Sequence, residues 1–127
     1  MHNHTRAMIA ASAYAAITGR KVAGLYDHTG AVHLRIAAEC RDGRVQGADG
    51  DRSATFGGIL PEIHDAREQT FVSLAVEGHK AHGYDRGTQT HYALEVKDRL
   101  INLYDHGVAT WFAFEVQFAQ DGPAPQP

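Results

Sequence analysis

The chain has almost no cysteine: Cys40 stands alone among 127 residues. No intrachain disulfide can form, and a reducing, cytoplasmic setting is the expectation. No apolar run is long enough to span a bilayer, so no membrane partner is expected. There is no clustering of basic charge either: 12 Lys and Arg face 15 Asp and Glu, for a formal net charge of −3. That excludes the electrostatic footprint of nucleic-acid binding and of a polybasic membrane surface. No His-Glu-x-x-His helix, paired-cysteine motif or facial-triad spacing is present, so neither metal nor cofactor is expected. There is no Gly-x-Ser-x-Gly elbow, and no helix follows Gly30 or Gly57-Gly58 to make a phosphate loop. No residue is assigned a catalytic role.

What the chain does have is a returning phrase. A small residue, an apolar residue and often a tyrosine precede an Asp, a loop and an apolar strand. The Asp residues are Asp27, Asp49, Asp65, Asp85 and Asp105, spaced by roughly twenty residues. Gly24-Leu25-Tyr26-Asp27, His82-Gly83-Tyr84-Asp85 and Asn102-Leu103-Tyr104-Asp105 are the clearest copies. Two residues before each Asp, and seven, nine and eleven after it, stand apolar or small residues. This is the period-two signature of strands with one buried face. Leu25, Phe56, Val72, Tyr92, Leu94, Phe112 and Phe114 should share that face.

If each Asp opens a four-residue loop, the residue two before it faces the residue seven after it. Leu25 then faces Leu34, Ile63 faces Val72, and Leu103 faces Phe112. Gly47 faces Phe56 and Gly83 faces Tyr92, so an aromatic ring covers a cross-strand glycine. Arg41-Asp42-Gly43, Glu77-Gly78-His79 and Lys97-Asp98-Arg99 supply the turns between copies. Pro61 interrupts the link between copies two and three, where it fits an edge, a bulge or a strand start.

The spacing predicts an all-β domain over 20–120: an antiparallel meander of about ten short strands from five hairpins. Closure into a small β-barrel would remove the two exposed edges. Thr5 to Thr18 reads as one N-terminal helix within 1–19, capped by Thr5 and closed by Gly19. Ile9, Ala13, Ala16 and Ile17 form its apolar face, which packs on the barrel mouth or wall. The alternative is an open, strongly bent sheet wrapped around the helix. Met8 to Ile17 superficially looks like a signal h-region, but Ser12 and Tyr14 interrupt it, so it belongs to the mature helix. The Pro-rich tail 121–127 is expected to be disordered.

The Tyr26-Asp27-His28-Thr29-Gly30 phrase, with Tyr104-Asp105 in part, is similar to the YD repeats of large bacterial Rhs-type shells. The resemblance is confined to that phrase. It implies a shared hairpin solution, and no function is carried across.

Two constellations bear on function. The five Asp residues should gather at one end, where Asp at a turn start hydrogen-bonds its own backbone. Just before them lies a belt that pairs Tyr26 with His33, His64 with Phe71, Tyr84 with His91 and Tyr104 with Trp111. Such rings stabilise sheets, and they also stack on sugars, bases or partner proteins. The chain also carries nine histidines, so its charge should change near pH 6. The expected site is therefore Tyr26, His33, Tyr84, His91, Tyr104, Trp111, Asp85 and Asp105. It would bind a small polar or aromatic molecule, or a glycan, at the barrel end carrying the Asp turns. The alternatives are a small-barrel isomerase or cyclase using His, Asp or Tyr, and an interaction or assembly module, including a homo-oligomer.

Overall fold

The computed structural model describes residues 1–121; the tail expected to be disordered lies, beyond Asp121, outside them. A helix, α1 (Asn3–Thr18), opens the chain, and a 3-10 turn (Ala119–Asp121) ends its described part. Between them run twelve strands: β1 (Gly24–Asp27), β2 (Val32–Leu34), β3 (Ile36–Arg41), β4 (Arg44–Asp49), β5 (Ala54–Ile59) and β6 (Glu62–Asp65) come first. β7 (Thr70–Ser73), β8 (Ala75–Glu77), β9 (Lys80–Asp85), β10 (Thr90–Lys97), β11 (Leu100–Asp105) and β12 (Thr110–Gln117) follow. All pair antiparallel in one nearly closed, barrel-shaped sheet, as the repeat predicts. Two strands beyond the expected ten arise because the long strands of copies one and three break at Arg35 and Leu74.

The pairing follows the counted register in all five copies. Leu25 faces Leu34, Gly47 faces Phe56, Ile63 faces Val72, Gly83 faces Tyr92, and Leu103 faces Phe112. A Cβ on Gly47 would fall inside the Phe56 ring, so glycine here is a packing requirement. A Cβ on Gly83 would collide with the Ser73 carbonyl and lie 2.7 Å from the Tyr92 hydroxyl oxygen.

The last strand, β12, pairs with the first, β1, so the meander runs round into a ring. The remaining seam is bridged by Val22 and Ala38, which exchange N–H···O bonds of 2.8 and 3.0 Å. The enclosed space is filled by α1. Every residue from Thr5 to Ala15 is buried, so no face of the helix meets solvent. A helix buried all round is mostly apolar or small, and the alanines of α1 let strands approach from every side, while the buried Arg6 is paired with Asp105. The expected barrel is therefore observed, nearly closed, with the helix inside it rather than on its mouth or wall. Thr5 is not the cap. The helix starts earlier, with His2 at the N-cap making no side-chain cap bond, while Gly19 closes it at φ 72°. Of the residues expected on the buried face, only Phe112 is half-exposed. No helix among the described residues is long and apolar enough to cross a membrane.

Each four-residue Asp loop ends in a left-handed residue that is not glycine: Ala31, Ser53, Gln69, Gln89 and Ala109, with φ between 51° and 57°. That conformation costs an L-residue about 1–2 kcal/mol. Ala109→Gly should therefore raise stability by about 1 kcal/mol in urea unfolding. Gly47→Ala should lower it by about 1–3 kcal/mol as an overpacked core site. No loss in the second variant would mean that Phe56 has another place to go.

Candidate functional site

Alternation along the strands separates the two constellations. Each Asp shares its parity with the buried stripe and points inward; the residue before it points outward. The belt therefore lies on the outside of the barrel and the carboxylates on the inside. Tyr26 and His33 pair at 4.8 Å between ring centroids, Tyr84 and His91 at 4.6 Å, Tyr104 and Trp111 at 5.2 Å. Trp111 is 58% exposed. Asp85 and Asp105 are buried on the opposite face. The structure brings together the members of each expected pair, and it does not bring the belt onto the carboxylates.

The five Asp residues form a ring around the N-terminal end of α1. One oxygen of each accepts a turn N–H. The donors are Thr29 and Gly30 for Asp27, Asp51 for Asp49, Arg67 and Glu68 for Asp65, Gly87 for Asp85, and Gly107 for Asp105. The expected local turn bonds are thus present in every copy.

The second oxygens face the interior, where most meet a partner. Arg52 spans copies two and three, donating to Asp49 at 3.0 Å and to Asp65 at 3.1 Å. The Thr88 hydroxyl donates to Asp85 at 2.8 Å. Arg6 and the Met1 amino group donate to Asp105 at 2.9 and 3.1 Å. Arg6 also stacks on Phe112, 3.8 Å from its centroid. Asp27 is the exception: no described residue bonds its second oxygen.

A cavity of about 310 Å³ opens beside Asp27. Its origin is a change of register. At the junctions into copies three, four and five, the incoming Asp faces the residue seven after the previous Asp: Phe56 with Asp65, Val72 with Asp85, Tyr92 with Asp105. Into copy two the partner is two residues later, Ile36 with Asp49. β2 therefore overhangs, and a wedge separates it from the Asp49 turn. Its walls are Val32, Leu34 and Ile36, its far side Asp49, Asp51 and Arg52, and its floor Asn3, His4 and Ala7 from α1. Val32 occupies an inward position yet is 47% exposed. The same shift recurs where β12 meets β1, Phe114 with Asp27, but there Arg6 on Phe112 fills the opening.

The electrostatics of the wedge follow from its partners. Arg35 donates to Asp51 through its backbone and side chain, holding that carboxyl below its usual range. His4 is pushed below its ordinary value, first by burial and then by Arg52, so it stays neutral near pH 7. Cys40 is no reactive thiolate, since burial pushes its thiol up. Among the described residues no group of three or more His, Cys, Asp and Glu is arranged to hold a metal ion. Sequence reasoning missed Arg6, Arg52 and the wedge. Two signals were available. Asp27 and Asp49 stand 22 residues apart, against 20 for Asp65–Asp85 and Asp85–Asp105, and Val32 is a large aliphatic where the other copies carry Ala54, Thr70, Thr90 and Thr110.

The chain was compared with family models, curated proteins and solved structures. It matches none of them.

Burial opposes the charge on Asp105, but the Met1 amino group, the Gly107 N–H and Arg6 outweigh it and hold its carboxyl below the usual range. A depressed folded value contributes stability above the unfolded value, which is lost as pH falls through the folded one. Asp105→Asn should cost about 3–5 kcal/mol near neutral pH, because it strands a buried Arg6. The gap to the parent should close below about pH 4. Urea titrations from pH 2 to 7 measure it, and a constant gap would show that Asp105 is not charged in the fold.

Proposed function

We propose that the protein is a non-enzymatic binding module whose ligand enters the wedge at the Asp end of the barrel. The observation that carries this reading is the uncovered apolar wall. Leu34 points to the interior like its buried counterparts Phe56, Val72 and Tyr92, and Val32 like Ala54 and Thr90, yet both face a cavity. Its volume, about 310 Å³, is in the range of small-molecule sites. The enzyme reading gains less support: four of the five ring carboxylates are engaged through both oxygens among the described residues.

A second reading keeps the outer belt as the ligand surface. Its support is the exposed Trp111 stacked on Tyr104, with Tyr84–His91 and Tyr26–His33 repeating the motif along the outside. Flat rings with polar tips suit a sugar or another ring-shaped polar ligand. On this reading Asp85 and Asp105 hold the turns under the belt and do not touch the ligand.

The two readings separate in one experiment. A fragment and sugar screen by thermal shift selects compounds that bind the native state, since these raise its Tm. Hits in the wedge should leave Trp111 fluorescence unchanged and lose their effect in Val32→Phe, which fills the mouth. Hits on the belt should change Trp111 emission and survive that substitution. Binding that behaves in the second way would move the site to Trp111 and Tyr84.

A further inference from the structure

The ring around α1 contains its own model of what the wedge would hold. In copy five, a cation sits between the reference Asp and the inward side chain seven residues later. Arg6 donates to Asp105 at 2.9 Å and lies 3.8 Å over Phe112. The corresponding pair in copy one is Asp27 and Leu34. They line the same cavity, and no described residue supplies a cation between them. Both copies share the two-residue register shift at the strand that follows, so both have the opening. One is filled from within the chain and the other is not.

We propose that the wedge binds a small organic cation, its ammonium or amidinium head on the free oxygen of Asp27 and its short apolar body against Val32, Leu34 and Ile36. The proposal rests on the wedge being the ligand site and adds the chemical class. The charges around the cavity support it. Asp49 is matched by Arg52, and Asp51 by Arg35. His4 is neutral and leaves Asp27 uncompensated. A carboxylate beside an apolar wall in a partly dehydrated recess attracts a cation more strongly than one in open water. An anion would meet Asp27 unpaired. A neutral body of the same shape would gain the apolar contact and forgo the charge.

The test uses the full chain and three probes of similar shape: 2-phenylethylammonium, 2-phenylethanol and 3-phenylpropanoate. Amide shifts in ¹H–¹⁵N spectra locate each probe and give its Kd. Asp27→Asn removes the charge but keeps the side-chain oxygen that accepts from Thr29 and Gly30, so the turn survives. The ammonium should shift the amides of His4, Val32, Leu34 and Arg52 and bind at least about tenfold tighter than the alcohol, the carboxylate weakest. Asp27→Asn should remove that advantage and leave the alcohol unchanged. Equal affinity of ammonium and alcohol in the wedge, or an ammonium indifferent to Asp27→Asn, would overturn the cation class while leaving the wedge as a site. If none of the probes shifts the wedge amides, the site itself is refuted along with its ligand. Shifts confined to Tyr84, His91, Tyr104 and Trp111 would assign these rings to the belt instead.

Discussion

The whole molecule depends on a helix with no outside. Thr5 to Ala15 of α1 are buried without interruption, so the sheet must contact the helix from all directions. A flat or two-layered sheet cannot do that; a ring of hairpins can. The alanines keep the helix thin enough for the ring to close on it. The ring in turn supplies large side chains from its own inner face, among them Phe56, Tyr92 and Phe114. The ends of the helix are matched in charge as well. The N-terminal end, positive through its unsatisfied N–H groups, lies within the ring of Asp residues. At the other end Arg20 and Arg99 stack on Phe118, which itself packs on Tyr14.

Three of the five Asp residues, Asp49, Asp65 and Asp105, serve two purposes, and both are needed to explain the residue type. Accepting a turn N–H is within the reach of asparagine. The second oxygen of these three requires a carboxylate, because Arg52 reaches Asp49 and Asp65, and Arg6 and the Met1 amino group reach Asp105. Burying these charges is tolerable only because they are paired and hydrogen-bonded. The repeat is therefore not merely five similar turns. Its Asp105 turn also holds the start of the helix through Arg6 and the Met1 amino group, and Arg52 ties the Asp49 and Asp65 turns together.

The strand register was readable because it rests on a period of two and a fixed loop length. Both are local, and both repeat five times. Leu25 opposite Leu34 and Gly47 opposite Phe56 follow from counting alone. The position of the helix was less readable. An Ala-rich segment has no contrast between faces, so Ile9, Ala13, Ala16 and Ile17 read as a single stripe, although Thr5 to Ala15 are buried around the whole circumference and Ala16 and Ile17 only in part. The left-handed loop residues were not legible at all, since Ala31, Gln69 and Gln89 are poor candidates for positive φ on composition. The separation of belt from carboxylates was implicit in the alternation, since neighbours in a strand face opposite ways.

The wedge beside Asp27 comes from a departure from the repeat. The departure here is small. The long strand of copy one, β2 with β3, runs to Arg41 before it turns, fourteen residues past Asp27; that of copy four turns at Lys97, twelve past Asp85. The two extra residues move the next hairpin along by one pleat repeat, so the inward face is conserved while the edges no longer meet. A shift of one residue would have turned the apolar stripe outward and been fatal. A shift of two preserves the core and opens a wedge. Arg6 closes the equivalent opening in copy five, where it reaches both Asp105 and Phe112. The helix carries one such arginine, and at the copy-one side it presents Asn3, His4 and Ala7 instead. The same register change thus yields a structural ion pair on one side of the helix and an open recess beside Asp27 on the other.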